Sequence, residues 1–181
     1  MIRSIRLLVV ALLVLAGAAV GVPSAAAAPT ASAACPPGGG SAPRVAPDLG
    51  VSPLVAVRAG RHACYDRVVF EIDGPVAGYD IRYVRQVVQD GSGAVVPVRG
   101  GARLQVVLHH PAHDGAGRPT WSGDVDVRGF STLRSIVDAG SFEGHTTFGV
   151  GTRARLPFRV FVLPGPHGHS RLVLDVAHTW R

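Results

Sequence analysis

From residue 54 onward, apolar and polar positions alternate with a period of two, in short runs broken by Gly, Pro and Asp. In the run from 66 to 72, Val68, Phe70 and Ile72 share one face, and Arg67, Val69 and Glu71 share the other. In the run from 78 to 88, Tyr79, Ile81 and Tyr83 lie opposite Asp80 and Arg82. Leu104, Val106 and Leu108 lie opposite Gln105, Val107 and His109. Near the end, Phe158, Val160 and Val162 repeat the pattern, as do Leu172, Leu174 and Val176. Such alternation, rich in β-branched and aromatic residues, marks half-buried strands. Turn residues separate the runs at Gly74-Pro75, Asp90 to Gly93, Gly100-Gly101, Asp114-Gly115 and Pro164 to Pro166. Many short strands at this spacing predict an all-β fold, an antiparallel β-sandwich or a barrel. One segment, FSTLRSIVDAG (130–140), reads as a turn or two of helix with Ser131 as N-cap, so at most one short helix is expected.

The first 53 residues follow a different pattern. Arg3 and Arg6 precede an apolar run from Leu7 to Val20, and Ala25 to Ala28 then supply small side chains. This is the layout of a secretory signal peptide, expected over residues 1–28 with cleavage between about 27 and 34. The run is shorter than the roughly 20 residues that cross a bilayer, so no membrane span is expected in the mature chain. Residues 29–53 are Pro, Gly, Ala and Ser with almost no apolar periodicity, the composition of a flexible leader. The domain proper is expected over 54–181, one unit by length.

Charge and cysteine content narrow the setting. All 18 basic residues are Arg, a bias that a high-GC genome produces through codon usage. Loss of Arg3 and Arg6 with the signal lowers the formal charge from +6 to +4. The positive charge is spread out, without a basic cluster interleaved with aromatics, so nucleic acid is not an expected partner. Cys35 and Cys64 both follow the signal, and an oxidising compartment favours pairing them, two free thiols being the alternative. The bridge would close a loop of about 29 residues, contributing about 3 kcal/mol by loop entropy.

No complete catalytic or metal-binding pattern is present. His109, His110 and His113 cluster, but adjacent strand residues point to opposite faces, so the first two do not converge. Neither HExxH nor paired-Cys spacing adds ligands, and no metal or other cofactor is expected. There is no GxSxG for a serine nucleophile. Paired carboxylates for glycoside cleavage would have to come from ten Asp and two Glu, Glu71 and Glu143, and nothing in the sequence favours a particular pair.

Six segments in order carry a family resemblance: GRHACYDRVVFEI (60–72), GPVAGYDIRYV (74–84), DGSG with VPVRGGARLQVVL (90–108), PAHDGAGRPT (111–120), SFEGHTTFGVGTRARLPFRVFVL (141–163) and RLVLDVAHTW (171–180). Together they resemble the AMIN-like domain of actinobacterial secreted proteins. The resemblance implies a β-sandwich related to the AMIN modules of N-acetylmuramoyl-alanine amidases, which localise to the wall and leave catalysis to another domain. It implies a non-catalytic, exported envelope module that binds peptidoglycan or an associated wall polymer. The alternatives are a protein–protein interaction domain of the envelope and a small hydrolase. The motif around Cys64 resembles the form that accompanies an upstream cysteine, which supports Cys35 as its partner. Asp66 and Arg67 fall in the same motif, as a salt bridge or as a recognition pair.

A wall glycan offers sugar faces to aromatics and anionic groups to Arg. The expected binding residues are Arg67, Arg82, Arg85 and Trp121, with Tyr79 and Tyr83 as further aromatics carrying polar handles. Alternation sets Arg82 opposite the two tyrosines, so the Arg-bearing face is expected to bind and the Tyr-bearing face to pack. Alternatively, these arginines are ordinary solvated charges and binding occurs elsewhere.

Overall fold

The computed structural model describes residue 35 and residues 39–180, and the expected signal segment lies outside them. Among the described residues eleven strands follow in order: β1 (Arg44–Pro47), β2 (Leu54–Arg61), β3 (Tyr65–Ile72), β4 (Gly78–Val84), β5 (Val87–Val88), β6 (Val95–Val96), β7 (Ala102–Leu108), β8 (Leu133–Phe142), β9 (His145–Thr152), β10 (Phe158–Pro164) and β11 (Ser170–Ala177). They form a five-stranded sheet ordered β1-β4-β7-β9-β8 and a four-stranded sheet ordered β10-β11-β3-β2, with β5 and β6 as a separate hairpin. Every pairing is antiparallel. The architecture is an all-β sandwich, one of the two forms that alternation allows and the one that the family resemblance implies.

The core lies between the two sheets and is built from the apolar face of each strand. Val68, Phe70 and Ile72 of β3, with Leu172, Leu174 and Val176 of β11, meet Ile81, Leu104, Val106, Leu108, Phe148 and Val150 of the other sheet. Phe70 and Phe148 touch across the gap, their centroids 5.2 Å apart. Tyr83 meets Phe158 edge-on at 5.7 Å, and its hydroxyl donates to the Leu156 carbonyl at 2.9 Å. Tyr79 and Tyr83 therefore pack against the core, as expected of their face.

Two expectations need correction. The segment from 130 to 140 is not helical: it leads into β8. The spacing of Leu133, Ile136 and Val137 looks helical because β8 slips register between Leu133 and Ser135, which turns Leu133 and Ile136 to the main core, while Val137 packs on the other face with Val87, Val98 and Ala139. The slip shifts the alternation that would have marked a strand. The stretch expected as a flexible leader contains β1, which pairs with β4 from Arg44 opposite Ile81 to Pro47 opposite Gly78. Backbone hydrogen bonds from Gly50 N–H to the His109 carbonyl and from Leu54 N–H to the Pro111 carbonyl continue this attachment. Val45 is 54% exposed, so pairing holds this segment with little apolar burial, and composition does not reveal it.

Cys35 and Cys64 form a disulfide with Cα atoms 5.4 Å apart. The bridge fastens residue 35 just ahead of β3.

Candidate functional site

Strands β10, β11 and β3 bring three charges into one row on the outer face of the four-stranded sheet. Asp175 lies directly opposite Arg159 on one side and Arg67 on the other. Arg67 forks onto the carboxylate, Nε to Oδ1 at 2.6 Å and Nη2 to Oδ2 at 2.9 Å. Arg159 donates to Oδ2 from Nε at 2.9 Å, with Nη2 at 2.8 Å. Opposite charges directly across a strand pair attract, and a forked guanidinium adds geometric definition. The Asp175 side chain is 2% exposed, against 21% for Arg67 and 37% for Arg159, so the guanidiniums roof the carboxylate. The hydrogen bond to Asp175 raises the pKa of Arg67 further above its already high value.

Aromatic rings frame this row. Both guanidiniums lie over Tyr65, at 5.2 and 5.1 Å from its centroid, and over Phe161, at 5.4 and 5.3 Å. Tyr65 OH also accepts from Arg67 Nη2 at 3.2 Å, and the His62 ring stacks on Tyr65 at 4.6 Å. Opposite Arg67 on β2 stands Gly60, which leaves the row open on that side. The result is a half-exposed platform in which two rings flank two cations around one carboxylate. Farther along the same face, Glu71 accepts from His169 Nδ1 at 2.7 Å and pairs with Arg58. These contacts, His169 first, hold its carboxyl below the usual range.

The expected binding residues do not form one surface. Arg67 is in the platform. Arg82 lies on the outer face of the other sheet, on the far side of the sandwich, where it forks onto Asp80 two residues earlier on β4. Arg85 follows β4 and lines a cleft beside the β5-β6 hairpin. Trp121 meets Phe148 edge-on at 5.2 Å and packs against the core. Asp66 and Arg67 do not pair with each other, because strand neighbours face opposite ways. Asp66 is fully buried, accepting from the backbone N–H groups of Thr132 and Leu133 and lying 3.1 Å from His178 Nε2. It joins the starts of β3 and β8 to the chain after β11.

The histidines likewise separate. His110 is buried, its Nδ1 2.8 Å from the Ser52 carbonyl and its Nε2 accepting from Ala77 N–H at 2.9 Å. Burial lowers its pKa. His109 faces the other way, edge-on to His145 at 4.9 Å, and His113 sits in the turn that Asp114 and Arg118 close. Among the described residues, no group of three His, Cys, Asp or Glu side chains is placed to hold a metal ion.

Tyr65, Arg159, Phe161 and Asp175 were not among the expected site residues. Alternation alone places Tyr65 on the face of Arg67, and Arg159 and Phe161 on the face opposite Phe158. The pairing of β10, β11 and β3 that gathers them is not readable from local sequence.

On the opposite side of the sandwich, Val87, Val98 and Ala139 form a second small core beneath the hairpin. The hairpin and the residues after it approach β9 closely because Gly149 and Gly151 carry no side chain there. A Cβ on Gly151 would overlap the Arg99 carbonyl oxygen and lie 2.7 Å from Ser135 Oγ. Two clefts flank this flap, of about 760 Å³ and about 430 Å³, sharing Pro97 and Arg99.

The molecule is thus an antiparallel sandwich with a cationic aromatic platform on one face and arginine-lined clefts on the other. A family model of the AMIN-like domain matches residues 52–178, and the chain belongs to that family. Membership points to a cell-envelope module related to peptidoglycan, of a kind that is generally non-catalytic. Comparison with curated proteins gives no match.

Proposed function

We propose that the protein is an exported, non-catalytic envelope module that binds peptidoglycan through the platform on its four-stranded sheet. The observation that carries this reading is the row Arg159–Asp175–Arg67 framed by Tyr65 and Phe161. The Tyr65 faces are taken up by His62 and the guanidiniums, so the rings meet sugar C–H groups through their exposed edges, and each half-exposed guanidinium can donate its remaining N–H groups to stem-peptide carboxylates. Asp175 holds both cations in place, so little side-chain entropy is lost on binding. Family membership, the disulfide and the signal-like N-terminus support an extracytoplasmic setting.

Recruitment of a protein strand to a sheet edge is the less favoured reading. Edge strands β2 and β8 carry register irregularities, β1 spans only Arg44–Pro47, and Pro157 and Pro164 bracket the edge strand β10. Such features discourage strand addition.

Co-sedimentation with purified peptidoglycan freed of phosphate polymers tests the proposal. The wild-type domain should pellet, and a Tyr65→Ala, Phe161→Ala double variant should bind roughly tenfold more weakly. A wild-type domain that stays in the supernatant refutes wall binding, and released soluble fragments would identify a hydrolase instead. Export is tested by mass spectrometry of the secreted product, whose first residue should lie between Ala28 and Ala34.

A further inference from the structure

We infer that the two clefts around Pro97 and Arg99 form one trough for a phosphodiester-linked polymer. This is a second binding surface, on the opposite face of the sandwich from the platform. The inference rests on the envelope reading for the origin of that polymer, but not on the platform as a binding site.

The two clefts meet at Pro97 and Arg99, which line both, and their combined lining is cationic. The larger cleft is lined by Arg99, Arg128 and Arg134 with Asp124 and Asp126, and the smaller by Arg85, Arg99 and Arg103. Five arginines therefore stand against two aspartates. Three of the arginines are committed. Arg128 forks onto Asp126. Arg134 donates to the carbonyls of Phe130 and Leu133, and Arg103 to the carbonyl of Val98. Asp126 is held ionised by the Arg128 hydrogen bond, which lowers its pKa, so that pair adds no net charge. Among the described residues, Arg85 and Arg99 have no ion pair and no side-chain hydrogen bond.

These two guanidiniums line the smaller cleft, and Arg99 is shared with the larger. A concave surface with low-dielectric walls focuses the field of its charges and favours an anion over solvent. Cationic positions along a shared trough match a ligand whose negative charges repeat, and a phosphodiester accepts the forked guanidinium. Phe130 is the one aromatic in the lining. A trough so poor in rings does not offer the succession of stacking surfaces that binds single-stranded nucleic acid.

The shape of the trough depends on the flap. Gly149 and Gly151 let the chain around Val98 and Arg99 lie on β9, and Ser135 Oγ donates to the Arg99 carbonyl at 3.0 Å. Arg99 is thereby presented from a fixed backbone, although its side chain is exposed.

Poly(glycerol phosphate) is the probe, with polygalacturonate of equal charge and a single-stranded oligothymidylate as competitors. Binding of the disulfide-intact domain is measured over a salt series. Wild type should bind poly(glycerol phosphate) more tightly than either competitor. The Arg85→Gln, Arg99→Gln variant should lose roughly 10- to 100-fold at low salt, and its salt slope should fall by about one to two. A Tyr65→Ala, Phe161→Ala variant should bind the polymer as wild type does. The inference is overturned if the double Arg variant, folded by its thermal transition, keeps its affinity and slope. It is also overturned if either competitor binds as tightly. Phosphate-free peptidoglycan reads only the platform, so either surface can fail without the other.

Discussion

Replacing Asp175 with Asn tests whether the buried carboxylate or the aromatic frame holds the platform together. The substitution keeps size and shape but removes the charge shared by Arg67 and Arg159, and sets an amide N–H₂ against donors. Removing one partner of a fully buried ion pair costs about 3–5 kcal/mol. Here the aspartate is 2% exposed, but Arg67 and Arg159 are 21% and 37% exposed and can partly rehydrate. Solvent screening of the cations discounts the loss to about 2 kcal/mol. For a domain of this size that is a fall in Tm of roughly 6–10 °C. Asp80→Asn is the internal control: its pair with Arg82 has the same chemistry, but the side chains are 26% and 48% exposed. It should cost no more than about 0.5 kcal/mol. Urea denaturation of both variants, with the disulfide intact, measures the difference. If Asp175→Asn costs no more than Asp80→Asn, stacking between Tyr65 and Phe161 holds the guanidiniums and the carboxylate is not the anchor.

Three other outcomes follow from the structure. Reducing the disulfide, or Cys35→Ser, should destabilise the chain by about 3 kcal/mol by loop entropy while leaving the β3 and β11 pairing intact; two reactive thiols in the native secreted protein would refute the bridge. His110 is buried in its neutral form with a lowered pKa, so the unfolded chain binds a proton that the folded chain resists. Stability should be full above about pH 6.5 and fall as pH drops toward the folded-state value, and denaturation midpoints in His110→Gln should lose that part of the slope. Gly151→Ala should displace the Arg99 backbone and open the flap, costing about 1–3 kcal/mol as overpacking does and weakening polymer binding but not peptidoglycan binding; an unchanged melting temperature would refute the close approach.

Strands with one buried face were legible because alternation maps directly onto burial. In β3, β7 and β11 each second residue is apolar, and those residues form the core. Alternation does not mark β8 because a register slip interrupts the period and apolar residues cover both of its faces, and composition does not mark β1 because backbone pairing, not apolar burial, holds it. The candidate site was legible only in part. Arg67 and Arg82 are near in sequence, but β3 and β4 belong to different sheets, so their outer faces look away from each other. Trp121 was expected at a ligand surface, yet its ring packs on Phe148. Alternation sets Asp175 on the outer face of β11 but gives it no partner. Its role arises from strand order, which sets it between Arg159 and Arg67.

Peptidoglycan binding by the outer face of the four-stranded sheet is the core of the proposed function. Its most direct test is an NMR titration of the isotopically labelled domain with soluble, phosphate-free peptidoglycan fragments. Saturable shifts should concentrate at Tyr65, Arg67, Arg159 and Phe161, including the arginine Nε–H signals. Arg82 and Trp121 should stay unmoved. Shifts centred on the five-stranded sheet, or no saturable shift with fragments at millimolar concentration, would contradict the account.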